Sequence, residues 1–176
     1  MQKFAPILLA ILFFIVSCKK EDPDFEPVKV PSAEEVMVGR WNLVFIQAEG
    51  NAKVAGNDVP VTGSNADSPE GYYDVRTGEK ENTYSYDIKT KLILLIGGKG
   101  GATREYNYSD KDAGTWILKS EESLTFYANQ GNVEDVFFTM YDSAEVQHMQ
   151  ITVPIDTVLS GIDYNGKFIL DMIKEE

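Results

Sequence analysis

Short apolar runs separated by polar turn residues dominate the chain after residue 38, and they predict β-strands. Residues 83–88 alternate with a period of two, which places Tyr84, Tyr86 and Ile88 on one face of a strand. Residues 92–96 are apolar throughout, as in a strand that is covered on both faces. Valine, isoleucine, threonine and the aromatic residues are enriched in these runs, which favours strand over helix.

The whole pattern predicts about ten strands joined mostly by short turns. The predicted strands are 41–48, 72–75, 83–88, 92–96, 102–108, 116–119, 124–128, 133–141, 145–153 and 167–173. Turns are predicted at 97–101, 120–123, 142–144 and at Asn165-Gly166, a two-residue hairpin signal. A meander of this kind has to protect its edges, so we expect an all-β fold, either a closed antiparallel barrel or a two-sheet β-sandwich.

The first strand and the segment after it lead to two further expectations. Alternation puts Trp41, Leu43 and Phe45 on one face of strand 41–48, with Val44 and Ile46 on the other. Residues 49–71 are polar and rich in glycine and proline, so they are predicted to form a long loop. A loop of this length in a compact domain is usually functional or mobile.

The first seventeen residues have the order of a secretory signal. Lys3 precedes an apolar run at residues 7–16, and Ser17 leads into Cys18, the single cysteine of the chain. Ten residues reach about 15 Å as a helix, half of the ~30 Å that a spanning helix must cover. The end of this segment, with Ile15, Ser17 and then Cys18, closely resembles the lipoprotein cleavage box of bacteria. That resemblance implies cleavage between Ser17 and Cys18 and a lipid on the Cys18 thiol.

Residues 18–35 are predicted to be a lipidated start followed by an extended, proline-rich tether. In bacterial lipoproteins an aspartate straight after the cysteine tends to retain the protein at the inner membrane. Lys19 stands there in this chain, which implies an outer-membrane location in a Gram-negative cell. The acidic group Glu21, Asp22 and Asp24 resembles the signals that export some of these lipoproteins to the cell surface. Ser32 and Glu35 have the spacing of a helix capping box, so a short helical turn is expected there.

The net charge of the chain limits the kinds of partner that it is expected to bind. The chain has 16 basic and 28 acidic residues, a formal charge of −12, and removal of Lys3 with the signal would leave 15 basic residues and −13. Such a chain repels nucleic-acid phosphates and anionic bilayers, so its expected link to a membrane is the lipid and nucleic acid is not an expected partner. With one cysteine there is no internal disulfide, and the folded domain must rely on packing.

Two tryptophan motifs suggest a family. Gly39-Arg40-Trp41 opens the first strand, and Gly114-Thr115-Trp116 repeats the spacing. The first is similar to the Gly-x-Trp motif of lipocalins, and the combination resembles the lipocalin-like lipoproteins of Gram-negative bacteria over residues 36–173. The resemblance implies a barrel domain at 36–176 that holds a small apolar ligand. Lipocalins usually place an arginine over this indole; no arginine follows Arg104, and Lys167 or Arg40 are the substitutes considered.

The aromatic residues expected inside such a barrel are the candidates for a ligand cavity. They are Phe45, Tyr84, Tyr86, Phe126 and Phe138, together with Trp41 and Trp116.

The sequence contains few residues in arrangements that are typical of catalytic sites. His148 is the only histidine, and without a thiol partner it builds neither a zinc site nor a cysteine nucleophile. Glu121-Glu122 and Glu134-Asp135 are expected in turns as solvated charges, and residues 110–114 have too few ligands for a calcium loop. We therefore expect no enzyme, cofactor or metal. The alternative to ligand binding is a structural or interaction role in the cell envelope, docking a protein or a glycan.

Two short motifs could accept a sugar. Asp142-Ser143-Ala144 and Asp156-Thr157-Val158 are similar to the O-glycosylation acceptor of exported proteins in some Gram-negative bacteria, which makes Ser143 and Thr157 the candidate sites.

Overall fold

Nine antiparallel strands follow one short helix in the computed structural model, which describes residues 31–143, 146–159 and 161–175. The helix, α1, is Ala33–Met37, and it begins with the expected capping box between Ser32 and Glu35. The strands are β1 (Gly39–Val54), β2 (Asn57–Asn65), β3 (Glu70–Arg76), β4 (Thr83–Ile96), β5 (Ala102–Ser120), β6 (Ser123–Ala128), β7 (Val133–Ser143), β8 (Val146–Leu159) and β9 (Ile162–Lys174).

All nine strands belong to one sheet in the order β2-β1-β3-β4-β5-β6-β7-β8-β9, and β1 also pairs with β9. This last pairing runs from Trp41–Lys174 to Ala52–Tyr164 and joins the first strand to the last. Hydrogen bonds therefore run in a ring around eight strands, while β2 bridges β1 and β4. The all-β antiparallel prediction is confirmed in this barrel-like form, and the alternative of two packed sheets is not what is observed.

Several predicted strands are pieces of longer ones. Segments 83–88 and 92–96 are both part of β4, and 102–108 and 116–119 are both part of β5. The predicted glycine-rich turn at 97–101 does connect β4 to β5 as a hairpin. The polar residues 89–91 of β4 and 109–115 of β5 continue these strands, because they pair across the two strands without a break.

The predicted loop at residues 49–71 is wrong. Its first part continues β1, and most of the remainder forms β2, which pairs with β1 from Gln47–Ser64 to Val54–Asn57. The turn between them is short, with Ala55 at φ 50° and Gly56 at φ 83°. Polar side chains can alternate on the exposed face of an antiparallel strand, so their abundance here marked a solvated strand rather than a loop.

The hairpin predicted at Asn165-Gly166 is also wrong, because both residues lie within β9. Gly166 is opposite Gly50, and a Cβ there would lie 2.7 Å from the Gly50 Cα. The glycine is needed for this close approach between strands, and the chain turns earlier, next to Gly161 at φ 78°.

The inward orientation predicted for Phe45 is wrong as well. The register of β1 against β9 shifts between Leu43 and Phe45, so Val44 is an extra residue in the ladder. Such a bulge reverses the alternation that follows it. Trp41, Leu43 and Ile46 are buried, whereas Phe45 is 41% exposed on the outside of the sheet.

One part of the wall is incomplete. β6 pairs with β5 only from Gly114 to Ser120, and β7 pairs with β8 only as far as Thr152. Among the described residues, no strand covers the second edge of β5 over 102–112 or of β8 over 153–158. At this gap the inward-facing side chains of Tyr86, Asp110 and Asp112 are only partly buried.

Candidate functional site

A cleft of about 620 Å³ lies at the gap in the wall, where β5 separates from β6. We call it the acidic cleft, because its defining residues are Tyr84, Tyr86, Asp110, Asp112, Phe126 and Glu134. Its position follows from strand lengths: β6 has six residues and β5 has nineteen, so β5 extends well past its neighbour.

Period-two alternation brings the carboxylates to the inner face. Asp110 and Asp112 share that face of β5 with Gly114 and with the buried Trp116. On β4, Tyr86 lies directly opposite Asp112. Residues 110–114 are therefore a strand and not an ion-binding loop.

Tyrosine hydroxyls donate to these carboxylates. The Tyr86 hydroxyl donates to Asp110 Oδ2 at 2.9 Å and the Tyr108 hydroxyl donates to the same oxygen at 3.1 Å. The Tyr84 hydroxyl donates to Asp112 Oδ2 at 3.4 Å. Burial, and next the charge of Asp110, raise the pKa of Tyr86 and of Tyr108, so both phenols stay protonated and act as donors.

Glu134 adds a third carboxylate from β7. The prediction that it lies in a turn is wrong: it pairs with Phe126 across β6 and β7 and is partly buried. Burial raises the pKa of Glu134, and the charges of Asp110 and Asp112 raise it further. Its neighbour Asp135 faces the outside, where Lys119 Nζ lies 2.7 Å from Asp135 Oδ1.

The three carboxylates of the acidic cleft have no counter-cation within the described part of the chain. No lysine, arginine or histidine there forms an ion pair with Asp110, Asp112 or Glu134. Lys111 borders the cleft, but its side chain is 75% exposed and its Nζ is 3.6 Å from Asp87 Oδ2. The cleft is therefore a site of uncompensated negative charge.

Substitution of Glu134 tests this electrostatic picture. A raised folded-state pKa means that the folded domain binds the proton more tightly than the unfolded chain. Its contribution to stability is therefore present at low pH and is lost as pH rises through the folded-state pKa. We expect Glu134→Gln to raise the Tm at pH 7 by about 2–4 °C and to flatten the pH dependence between pH 4.5 and 8.

Thermal melts followed by circular dichroism measure the difference between the two proteins at each pH. Glu121→Gln is the matched control, since Glu121 is exposed in the turn between β5 and β6 and is expected to leave the Tm unchanged. A lower Tm for Glu134→Gln at pH 7 would contradict the conclusion that the Glu134 carboxylate is destabilised by its burial and by the charges of Asp110 and Asp112.

Aromatic rings form one wall of the acidic cleft. Tyr84 and Phe126 have ring centroids 4.3 Å apart, and Tyr73 stacks on Tyr86 at 4.7 Å. Tyr73 is only 4% exposed, and no buried side-chain oxygen or nitrogen of the described residues lacks a hydrogen-bond partner. Burial raises the pKa of Tyr73, and the next contributions come from Tyr86, Tyr108, Glu134 and Asp110, so its hydroxyl lies near this group.

The aromatic residues predicted to line a ligand cavity lie in three different places. Tyr84, Tyr86 and Phe126 line the acidic cleft, whereas Phe138 is packed in the core and Phe45 is outside. A hollow of about 730 Å³ where β8 ends and β9 begins is lined mostly by polar, exposed residues, among them Asn51, Asp58 and Thr157. Its acidic residues Asp58, Asp156 and Asp163 are all exposed, and Tyr164 is the single aromatic residue in its lining, so we favour the acidic cleft.

The two tryptophan motifs have different surroundings. Trp41 is fully buried and donates from Nε1 to the Met37 carbonyl at 2.7 Å, and Lys174 Nζ lies 5.2 Å from its ring centroid. The cation over this indole is thus Lys174. The two residues that were expected to replace the lipocalin arginine lie elsewhere, since Lys167 pairs with Glu49 and Arg40 lies over the Tyr72 ring. Gly39, at φ 140°, starts β1 next to the Lys174 side chain.

Trp116 stabilises a different part of the sheet, at the start of β4. Its Nε1 donates to the Thr83 carbonyl at 3.1 Å, which secures the start of β4. Gly114, two residues before it, allows β6 to approach, since an added Cβ would fall on the Tyr127 carbonyl oxygen.

The modification candidates are only partly within the described residues. Ser143 is exposed at the end of β7, and Thr157 is exposed on β8. Ser17, Cys18 and residues 19–30 lie outside the described ranges. His148 is partly buried, with Nδ1 3.2 Å from Asp171 Oδ1.

Two other kinds of site are absent from the described residues. No group of three histidine, cysteine, aspartate or glutamate side chains there is arranged to hold a metal ion. No helix in those ranges has the length and hydrophobicity needed to cross a bilayer.

The acidic cleft was not predicted as a unit. The sequence does contain a signal for it, because Tyr84 and Tyr86 on one strand and Asp110 and Asp112 on the next each repeat with a period of two. Glu134 gives no comparable signal, since its contribution depends on how β6 and β7 pair.

Comparisons with known proteins found no match. No protein-family model, no curated protein and no solved structure matches this chain.

Proposed function

We propose that this protein is a lipid-anchored protein of the Gram-negative outer membrane, displayed at the cell surface, whose β domain binds a small ligand in the acidic cleft. The anchor is inferred from the sequence that leads into Cys18. The binding role is supported above all by the acidic cleft, which joins uncompensated carboxylates to aromatic rings at the gap in the wall. Its volume falls within the ~300–1,000 Å³ typical of small-molecule sites.

The ligand proposed here has both an apolar face and polar groups. The sequence predicts a small apolar ligand, but the inner face of the sheet is filled by its own side chains, including Trp41, Trp116 and Phe168, all nearly inaccessible. The open space lies instead beside Asp110, Asp112 and Glu134. A purely apolar molecule would leave these carboxylates desolvated and unpaired, which is costly.

A lipocalin-like origin remains part of the proposal. The Gly-x-Trp motif at the start of β1 and the Lys174 ammonium above the Trp41 ring correspond to the indole and cation expected of that family. The ring of eight hydrogen-bonded strands is compatible with it.

An interaction role in the envelope is the second candidate, and one surface favours it. Ile117, Tyr127, Val133 and Phe137 are exposed apolar residues on the outer face of β5, β6 and β7, with Val133 and Phe137 each 63% exposed. Tyr127 and Val133 are direct cross-strand partners. Apolar groups that cluster on an outer face are typical of a docking site for a protein or a glycan.

Purification of the full chain from its own host in a neutral detergent tests the proposal. We expect the amino-terminal peptide to begin at Cys18 with a diacylglyceryl adduct, and we expect denaturation to release a small molecule in a stoichiometric amount. Mass spectrometry measures both. The same digest shows whether the peptides containing Ser143 or Thr157 carry the mass of a glycan.

Two results would count against it. A freely soluble chain with an unmodified Cys18 would contradict the anchor. A protein or glycan that co-purifies in place of a small molecule, and that Phe137→Ser releases, would favour the second candidate over ligand binding.

A further inference from the structure

We propose that two copies of this chain associate through an apolar patch on the outer face of β5, β6 and β7. The apolar patch consists of the exposed side chains of Ile117, Tyr127, Val133 and Phe137, which surround Asp135. The proposal goes beyond ligand binding in the acidic cleft and does not depend on it. It assigns the surface that favours an interaction role to one partner, a second copy of the chain.

The strand register makes the apolar patch continuous. Tyr127 and Val133 are direct partners across β6 and β7. Asp135 and then Phe137 follow Val133 on β7 at steps of two residues, so all three point to the same outer face. Thr125 of β6 is opposite Asp135, and it is only 1% exposed because the surrounding side chains cover it.

The polar groups at the centre of the apolar patch are already paired with one another. Lys119 Nζ lies 2.7 Å from Asp135 Oδ1 and 2.8 Å from Asp135 Oδ2, and the Thr125 hydroxyl donates to Asp135 Oδ1 at 2.6 Å. The hydrogen bond from Lys119, and next that from Thr125, lower the pKa of Asp135, so the ion pair persists at neutral pH. A partner therefore has no hydrogen bond to supply here, which favours an apolar protein surface over a glycan rich in hydroxyl groups.

The net charge of the chain favours this face for self-association. Two copies that each carry −12 repel one another, so close approach is least unfavourable where both surfaces are neutral. Within the apolar patch the charge of Asp135 is balanced by Lys119, and Glu121 and Glu122 lie beyond it in the turn between β5 and β6. The neighbouring outward residues are uncharged, and they are Thr115, Ser123, Thr139, Gln150 and Thr152. The apolar patch is therefore electrostatically compatible with its own copy.

The size of the apolar patch is sufficient for a weak dimer. Val133 and Phe137 are each 63% exposed, Ile117 is 46% exposed and Tyr127 is 39% exposed. Together they expose roughly 350–400 Å² in each copy, within the ~300–600 Å² of the largest apolar patch on a typical monomer. Two copies with their polar rims would bury about 1,000 Å² in total, at the lower end for a specific interface. We therefore expect a reversible dimer with a Kd of about 10–100 µM.

A two-fold arrangement uses the same surface on both copies. Along β7, Val133 and Phe137 lie on either side of Asp135. A two-fold axis that crosses β7 at Asp135 therefore places Phe137 of each copy over Val133 of the partner subunit. The two Lys119–Asp135 pairs then meet as two positive and two negative charges, so the contact carries no net charge.

Sedimentation equilibrium on the full chain purified from its host measures this association, in a neutral detergent of matched density with micelles in large excess over protein. We expect a monomer–dimer equilibrium whose affinity stays constant or rises between about 50 and 500 mM NaCl, because salt screens the repulsion between two acidic chains. Phe137→Ser is expected to weaken the dimer at least tenfold. Phe45→Ser is the matched control, since Phe45 is 41% exposed on the outer face of β1 and its loss should leave the affinity unchanged.

Exchanged charges show whether the same face lies on both sides of the contact. Lys119→Glu makes the apolar patch negative and Asp135→Lys makes it positive, so each variant alone is expected to self-associate at least tenfold more weakly. An equimolar mixture of the two variants is expected to form a heterodimer at least as tightly as the parent protein forms its homodimer. Thermal melts check that each variant is folded, and Val133→Lys supplies the positive partner if Asp135→Lys unfolds.

Other results would overturn the proposal. A parent chain that is monomeric up to about 500 µM, well above the expected Kd, does not use the apolar patch to bind its own copy. A dimer that is unaffected by Phe137→Ser, or charge variants that stay monomeric when mixed, would place the contact elsewhere. A host protein or glycan that Phe137→Ser releases would make that molecule the partner. None of these results bears on the acidic cleft, whose ligand is tested separately by the small molecule released on denaturation.

Discussion

Replacement of Trp41 by alanine is expected to lower the free energy of unfolding by about 3–5 kcal/mol, the range for removing a buried aromatic side chain. The indole is 0% exposed, it donates to the Met37 carbonyl at 2.7 Å, and the Lys174 ammonium lies over its ring. Removing it leaves a cavity, an unpaired carbonyl of α1 and a half-buried ammonium that has lost one contact. Urea denaturation followed by circular dichroism measures the loss.

Phe45 is the control for this experiment because it lies on the same strand beyond the bulge. It is 41% exposed on the outer side, so Phe45→Ala is expected to cost less than about 1 kcal/mol. Equal losses for the two variants would show that the bulge between Leu43 and Phe45 is misplaced and that both rings contribute to one core.

Substitution of Gly114 by alanine is expected to cost about 2–3 kcal/mol, at the upper end for crowding a packed site. The added Cβ would fall on the Tyr127 carbonyl oxygen and lie 3.0 Å from the Ala128 Cα, so both contacts are with backbone that cannot rotate away. Relief requires β5 and β6 to separate next to the acidic cleft. Chemical denaturation gives the cost.

Thr115→Ala is the companion variant, one residue further along β5 on the other face. It removes side-chain atoms without approaching a backbone, so a change below about 1 kcal/mol is expected. A Gly114→Ala protein as stable as the parent would mean that β5 and β6 are not as closely spaced as described.

Much of the fold could be predicted from alternation and turn residues. The alternation at Tyr84, Tyr86 and Ile88 predicted the first part of β4 correctly, and the glycines at 97–101 predicted the hairpin to β5. These signals are local, since side-chain period and backbone freedom are properties of a few neighbouring residues. They were sufficient for the all-β class and for most strand cores.

The errors share a different cause, which is contact between distant parts of the chain. Asn165-Gly166 has the composition of a turn, but Gly166 is required by the approach of Gly50, more than a hundred residues earlier. The outward position of Phe45 depends on a register shift against β9. No local pattern contains this information, because it arises only when the strands are paired.

The acidic cleft could be predicted only in part for the same reason. Asp110 and Asp112 could be assigned to one face of a strand, whereas the gap beside them follows from how far β6 and β7 extend. Glu134 is an electrostatically unfavourable feature of the acidic cleft. Its carboxylate is partly buried and lies close to the charges of Asp110 and Asp112. A binding site often retains such unfavourable groups because their favourable partner is the ligand.

The pairing of β1 with β9 has a consequence for how the protein is made. The partners are separated by nearly the whole domain, as in the pair Trp41–Lys174, so ring closure is among the most non-local contacts that this chain can make. Folds with such high contact order form slowly, because loop-closure entropy is lost before the contacts compensate for it. A chain that emerges from its amino terminus keeps both edges of the sheet open until its final residues arrive, and in that interval the open edges can pair with other chains.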